Sequence, residues 1–141
     1  MDTAGTAVNC TVVGNVATNG GGGVWNNGQL VNCIIYTNQV LNGNSTYQNW
    51  TNGTAPTYTN CCTWPTNNLP GSGNIEVDPM FVDQNSGNFR LKGASPCVNR
   101  GLNQDWMTNA VDLGSQPRIR YDIVDIGTYE TIYQGTIFMG R

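Results

Sequence analysis

Histidine is absent from this chain of 141 residues. Its absence removes the commonest general base, the commonest zinc ligand, and every nucleophilic pair of serine or cysteine with histidine. The chain also lacks the G-x-S-x-G motif of serine esterases. The sequence therefore argues against hydrolases of the triad type.

Charged residues are also scarce, at 11% of the chain against a usual share of ~25%. Only six residues are basic, they are scattered, and the net charge is −3. A phosphate backbone is bound by a stripe of basic residues, so we expect no nucleic-acid partner. No apolar run is long enough to cross a bilayer, so we expect no membrane span. No signal peptide follows Met1, and we expect any export signal to lie outside this chain.

What the chain has instead is asparagine, glycine and threonine, including 18 glycines. All three are poor helix formers. Asparagine and glycine tolerate left-handed turn conformations, and threonine favours strands. Asn-Gly pairs, which are strong turn signals, recur through the first half of the chain. The composition therefore predicts many short strands joined by tight turns.

A weak repeat occupies the first part of the chain. Residues 8–12 read VNCTV, residues 31–35 read VNCII, and residues 59–63 read TNCCT. The Asn-Cys pairs are separated by 23 and then 28 residues. Periods of this size are typical of solenoids. The few leucines argue against leucine-rich repeats, so we predict an all-β fold built as a parallel β-helix.

Alternation within each copy indicates which side chains face inward. We expect Val8, Cys10 and Val12 to point inward, with Cys33 stacked on Cys10 one coil later. Cys61 or Cys62 would continue this column. The chain has five cysteines, an odd number. Buried free thiols are the favoured interpretation, and a disulfide between Cys97 and either Cys61 or Cys62 is the alternative.

The repeat is lost after Trp64-Pro65, where prolines and short strand-like stretches alternate. We expect a single domain, residues 1–141. Its β-helix coils would occupy about residues 1–64, and its terminal coils and irregular cap about residues 65–141. The apolar residues among positions 131–141 predict a final strand. A cap with a polar outer face is what a solenoid end requires.

An ordered series of short motifs resembles the C-terminal region of bacterial right-handed β-helix surface proteins of the choice-of-anchor Q type, in the pectate-lyase-like superfamily. The resemblance covers about residues 8–130. The motifs that carry it are YTNCCT at 58–63, GNI at 73–75, DPMFVD at 78–83, GNFRL at 87–91, SPCVNRG at 95–101, DLG at 112–114, PRI at 117–119 and VDIGTYE at 124–130.

This resemblance implies a right-handed parallel β-helix in an extracellular or cell-surface setting. It does not imply a particular activity, because fold-level likeness does not carry function. The superfamily suggests a polysaccharide lyase or glycosidase as the alternative to a non-catalytic module.

A lyase of this type would need clustered carboxylates for Ca²⁺ and a basic residue. Asp112, Asp122 and Asp125 are the weak candidates, near Arg118 and Arg120. No D-x-D cluster occurs, and we interpret Asp125 and Arg118 as a structural ion pair. Glu76, Asp78 and Asp83 are candidates for a glycosidase pair, although an Asp-Pro turn accounts for Asp78. We assign no catalytic residue, no metal site and no cofactor.

Aromatic residues favour glycan contact. Trp25 and Trp50 occupy corresponding second-strand positions of two coils, and Tyr47 lies beside Trp50 in sequence. Facing outward, they would form an aromatic strip for sugar rings; the alternative is that the tryptophans fill the core. We expect a non-catalytic structural or surface module that contacts polysaccharide. Its N-terminal coil would leave unpaired strand edges open, so we expect either a fragment of a longer β-helix, an enzyme included, or a homo-oligomer formed through that coil.

Overall fold

The computed structural model describes residues 2–3, 5–43 and 48–132, and their regular secondary structure is almost entirely β. No helix among them is long and apolar enough to cross a membrane. The all-β prediction is confirmed. The strands are β1 (Asp2–Thr3), β2 (Thr6–Val8), β3 (Thr11–Val13), β4 (Val16–Ala17), β5 (Val24–Asn26), β6 (Gln29–Val31), β7 (Ile34–Tyr36), β8 (Gln39–Val40), β9 (Trp50–Asn52), β10 (Thr57–Thr59), β11 (Cys62–Thr63), β12 (Gly71–Ser72), β13 (Phe81–Asp83) and β14 (Asn88–Leu91).

The first twelve strands form four parallel sheets that the chain visits in a fixed order. Sheet 1 contains β1, β5 and β9; sheet 2 contains β2, β6, β10 and β12; sheet 3 contains β3, β7 and β11; sheet 4 contains β4 and β8. We call one passage through these sheets a circuit. Parallel sheets in this order are compatible with the parallel β-helix that the repeat predicts.

The register of the sheets follows the sequence repeat. Val8 pairs with Val31, 23 positions later, and Val31 pairs with Thr59, 28 positions later. A last, shortened passage pairs Tyr58 with Gly71, only 13 positions on. It adds a strand to sheet 2 alone and meets sheet 3 in a single bridge between Cys62 and Ile75. The pairing of the three Asn-Cys copies is therefore the one that the sequence predicts.

Each Asn-Cys pair marks a corner, which corrects the expectation of one alternating strand over residues 8–12. The strand of sheet 2 ends before the asparagine, and the strand of sheet 3 begins after the cysteine. Asn9, Asn32 and Asn60 have φ of 49°, 54° and 49°, a left-handed conformation that asparagine tolerates better than most residues. The corner turns the chain, so residues on both sides of it contribute to the same interior.

Two apolar clusters hold the molecule together. The first lies inside the circuits and combines side chains from sheets 1, 2 and 3: Val24, Leu30, Cys33, Ile35, Trp50, Tyr58 and Cys61. The second joins sheet 3 to the C-terminal part of the chain: Ile34, Cys62, Phe81, Leu91, Cys97 and Ile126. Each fully buried large apolar side chain contributes roughly 1.5–3 kcal/mol. Ile34 and Ile35 are both buried, because one faces each cluster.

The C-terminal part is an antiparallel hairpin of β13 and β14, followed by residues 97–131, which we call the C-terminal segment. This segment contains a short 3₁₀ helix, Asp105–Asn109. It crosses the asparagine corners of all three circuits: the Nδ2 atoms of Asn60, Asn32 and Asn9 donate to backbone oxygens of Arg100, Leu102 and Asp125. It thus covers the side of the circuits. The final strand expected at 131–141 falls largely on residues 133–141, outside the described ones.

Candidate functional site

A cleft of about 300 Å³ lies beside the ends of sheet 3 and contains two aromatic side chains. We call it the Trp64 cleft; its lining residues are Tyr36, Thr37, Asn38, Gln48, Asn49 and Trp64. In sheet 3, Ile34 pairs with Cys62 and Ile35 with Thr63. Tyr36 follows Ile35 and Trp64 follows Thr63, so the same register places Tyr36 beside Trp64. The Trp64 side chain is 46% exposed.

Buried amides fix the wall of the Trp64 cleft. Oδ1 of Asn49 accepts from the backbone N and Nδ2 of Asn38, at 3.0 and 3.1 Å. Nδ2 of Asn49 donates to the Trp64 carbonyl at 2.8 Å, which ties that residue to the circuit. Asn38 in turn accepts from N and Nδ2 of Asn15 through Oδ1. Because these buried polar groups satisfy one another, the cleft is held in one geometry.

The remaining polar groups of the cleft are neutral hydroxyls and amides. Oγ1 of Thr37 accepts from Nε2 of Gln84 at 2.8 Å. Burial, followed by the negative charge of Asp78, raises the pKa of Tyr36 above its ordinary value. The phenol is therefore protonated at neutral pH and able to donate a hydrogen bond. The cleft can offer aromatic faces together with uncharged donors and acceptors.

A second cleft has a volume of about 420 Å³. Its lining is Gly20, Val40, Gly43, Trp50, Thr51, Asn52 and Asn68, and we call it the Trp50 cleft. The Trp50 side chain is only 3% exposed, and its Nε1 donates to the Pro65 carbonyl at 2.8 Å. Its ring therefore belongs mainly to the interior.

The expected outward strip of Trp25 and Trp50 is wrong, because the two residues are out of register by one position. Val24 pairs with Trp50, and Trp25 pairs with Thr51. Since successive strand residues face opposite sides, Trp25 points outward, 46% exposed, while Trp50 points into the core. Tyr47, the third residue predicted for glycan contact, lies outside the described residues.

The three weak metal candidates are not brought together. Asp112 and Asp125 are buried, and their oxygens accept from backbone amides: Oδ1 and Oδ2 of Asp125 from Asn99 and Thr131, and those of Asp112 from Gly114, Gln116 and Glu130. Asp122 is exposed, and its backbone has a left-handed conformation. Across the described ranges, no group of three or more Cys, Asp or Glu side chains is placed to hold a metal ion.

Arg118 forms its ion pair with Glu130, and not with Asp125 as the sequence suggested. Its Nη1 lies 3.3 Å from Oε1 of Glu130, and both side chains are buried. Burial raises the pKa of Glu130 to about 7, although the Arg118 charge opposes this. Oε2 of Glu130 accepts from the Asp125 backbone. Because both of its oxygens are engaged internally, Glu130 holds the C-terminal segment together.

The carboxylates considered for a glycosidase pair accept hydrogen bonds from other parts of the chain or from their own turns. Oε2 of Glu76 accepts from N and Oγ1 of Thr66. Oδ1 of Asp78 accepts from Met80 N, and Oδ1 of Asp83 accepts from Ser86 N. None of the three lines the Trp64 or the Trp50 cleft. These three carboxylates therefore do not supply either cleft with the pair that a glycosidase needs.

The cysteines form a column and a separate pair. The Sγ atoms of Cys10, Cys33 and Cys61 donate to backbone carbonyls of Val8, Val31 and Thr59, which are equivalent positions of successive circuits. Interaction with the neighbouring thiol affects the pKa of each member, so Cys61 continues the predicted column. Cys62 lies instead against Cys97, and this contact together with burial raises the pKa of the Cys62 thiol. All five thiols are free. The structure therefore selects Cys62 as the neighbour of Cys97.

Comparison of the chain with profiles of known protein families, with curated proteins and with solved structures found no match.

Proposed function

We propose that this chain is a non-catalytic, secreted or cell-surface module from the end of a right-handed parallel β-helix, and that it contacts glycans through the Trp64 cleft. The observation that carries the proposal is the pairing of Tyr36 and Trp64 with neutral amide and hydroxyl groups in one cleft. The motif resemblance supports the surface setting and the handedness.

The β-helix part of the proposal is supported by the order of the sheets. Three passages of the chain place their strands in the same parallel sheets in the same order, and left-handed asparagines recur at equivalent corners. Stacking of one supersecondary unit on the next is what defines a solenoid. The shortened last passage and the C-terminal segment that crosses the circuits are features expected at the end of a solenoid.

The glycan part is supported by the chemistry of the cleft. Aromatic faces stack on the apolar faces of sugar rings, and nearby amides hydrogen-bond sugar hydroxyls. Trp64 is 46% exposed, while hydrogen bonds of the Asn49 side-chain amide hold the cleft wall in place. A binding surface that is already ordered avoids the entropy cost of ordering it on binding.

The alternative, a lyase or glycosidase, has less support. The lining residues of the Trp64 cleft include no carboxylate and no basic residue. A smaller cleft near the C-terminal segment contains Arg90 and Glu130, but Glu130 is its only carboxylate and is engaged with Arg118. The lining of the Trp64 cleft therefore supplies no acid–base pair, and the lining of the smaller cleft has no second carboxylate for a glycosidase.

A glycan array with the purified chain tests the proposal. We expect retention on a subset of oligosaccharides and its loss in Trp64→Ala. Trp25→Ala is a matched control, because the Trp25 side chain is also 46% exposed. Its retention should be unchanged. Absence of retention on every glycan, or loss in Trp25→Ala but not in Trp64→Ala, would overturn the proposal.

A further inference from the structure

Four Asn-Gly pairs occur in the chain, at residues 19–20, 27–28, 42–43 and 52–53. In such a pair the glycine nitrogen can attack the asparagine side-chain amide, because glycine has no Cβ to hinder the approach. Cγ of the asparagine then gains a bond to that nitrogen and loses its bond to Nδ2, which leaves as ammonia with the glycine proton. Water opens the resulting ring to aspartate or isoaspartate. This modification therefore requires a glycine nitrogen that is free to attack.

In the pairs Asn27–Gly28 and Asn52–Gly53 the attacking nitrogen is already hydrogen-bonded, in both cases to Asn26. The Gly28 nitrogen donates to Oδ1 of Asn26 at 2.9 Å, and the Gly53 nitrogen donates to the Asn26 carbonyl at 2.8 Å. The Asn26 side chain is fully buried. Reaction at either pair therefore needs a local opening that breaks one of these bonds.

The asparagine side chains of these two pairs are engaged as well. Oδ1 of Asn27 accepts from the backbone nitrogen of Thr54 at 3.0 Å, a bond that joins neighbouring circuits. Oδ1 of Asn52 accepts from the hydroxyl of Tyr58 at 3.1 Å, and Tyr58 is fully buried. Each amide would have to leave its partner to turn toward the following glycine, which adds to the cost of reaction.

The other two pairs, Asn19–Gly20 and Asn42–Gly43, occupy equivalent turns of successive circuits, just after sheet 4. The pairs are 23 positions apart, and the Asn42 nitrogen donates to the Thr18 carbonyl at 3.0 Å. Both asparagines are exposed. Within the described part of the chain, neither glycine nitrogen of these turns donates a hydrogen bond. The ladder between the two circuits thus ends before the glycines.

We propose that Asn19 and Asn42 are sites of spontaneous conversion to aspartate and isoaspartate in the folded chain, whereas the two hydrogen-bonded pairs are protected. The proposal is independent of glycan contact. Gly20 and Gly43, which take part in the reaction, line the Trp50 cleft. Each conversion adds one negative charge beside this cleft, in a chain whose net charge is already −3. Isoaspartate also lengthens the backbone there.

Peptide mapping of the purified chain, aged at mildly alkaline pH in heavy-oxygen water, tests the proposal, because the label marks each converted residue. In the folded chain we expect conversion at Asn19 and Asn42 at least about tenfold faster than at Asn27 and Asn52, since the protected pairs react only after local opening. In guanidinium chloride, which removes the protecting bonds, the four rates should become similar. Asn42→Gln should abolish conversion at residue 42 and leave that at Asn19, because the longer side chain forms the ring less readily.

Conversion of Asn27 or Asn52 in the folded chain as fast as that of Asn42 would overturn the protection. Absence of conversion at Asn19 or Asn42 in the folded chain, where the denatured chain reacts, would overturn the assignment of that turn. A preference for Asn19 and Asn42 that persists in the denatured chain would assign the rates to the neighbouring sequence and overturn the role of the fold.

Discussion

Asn32 and Asn9 occupy equivalent corners of successive circuits, and Nδ2 of Asn32 donates to Oδ1 of Asn9 at 3.2 Å. The Asn32 side chain is fully buried. It also donates to the Leu102 carbonyl at 2.9 Å and accepts from the Leu102 amide at 2.7 Å. One side chain thus joins two circuits to each other and to the C-terminal segment.

We predict that Asn32→Ala lowers the free energy of unfolding by about 2–4 kcal/mol, because buried backbone groups lose their partners and alanine disfavours the left-handed corner. Urea denaturation measures the change. Asn19→Ala, at an exposed position, should change the free energy little. Equal stabilities for the two variants would contradict the role assigned to the corner.

Stability should also depend on pH through Glu130. Its pKa is about 7 in the folded chain against an ordinary value of 4.5, so the folded state binds the proton more tightly than the unfolded state. The contribution to stability is therefore greatest at low pH and is lost as pH rises from about 4.5 to about 7. Thermal melting across that range should show the decline in the unaltered chain.

Glu130→Gln should flatten this decline, whatever its effect on stability at a single pH, because glutamine does not titrate. The slope against pH is the informative quantity, since glutamine places an amide donor where a carboxylate oxygen now accepts. A slope in Glu130→Gln as steep as in the unaltered chain would assign the pH dependence to other groups.

The contact of Cys62 with Cys97 predicts where a disulfide forms under oxidising conditions. Both thiols are fully buried and lie in the same apolar cluster. After treatment with oxidised glutathione in mild denaturant, we expect peptide mapping to find a Cys62–Cys97 link and an intact mass lower by two hydrogens. Cys97→Ser should abolish this link, and Cys10→Ser should leave it. A dominant link within the Cys10, Cys33 and Cys61 column would contradict the assignment.

Self-association is expected through the edge strands of the first circuit. Strands β2, β3 and β4 lie at the ends of their sheets, and edge strands are templates for pairing with another chain. Light scattering should show a concentration-dependent dimer. Val16→Lys, on β4 and 58% exposed, should weaken it, whereas Val111→Lys, 60% exposed on the C-terminal segment, should not. A monomer at all concentrations would contradict this prediction.

The sequence repeat predicts the pairing of Val8 with Val31 and the column of Cys10 and Cys33, because both follow from counting 23 positions. The same repeat also indicates that two aromatic residues of the Trp64 cleft are neighbours. Extending the copies at 31–35 and 59–63 by one residue aligns Tyr36 with Trp64, and the structure places these positions together.

Other features could not be predicted by local counting. The copies are 23 and then 28 residues apart, and the extra residues lie between β8 and β10, so the alignment of Trp25 with Trp50 was wrong by one position. The left-handed corners at Asn9 and Asn32 interrupt the alternation of the strands. Alternation therefore does not predict which side chains near these corners face inward. The C-terminal segment crosses all three circuits through contacts between residues far apart in sequence. Asn9 and Asp125, for example, are more than 100 positions apart. A sequence repeat contains no information about such contacts.

We propose that the Trp64 ring forms part of a glycan site, and calorimetric titration of a neutral oligosaccharide retained on the array tests this most directly. Truncating a central aromatic contact costs more than about 1 kcal/mol. We therefore expect binding at least about fivefold weaker in Trp64→Ala and unchanged in Trp25→Ala, with both variants melting as folded chains. Unchanged binding in folded Trp64→Ala would contradict a glycan site at this ring.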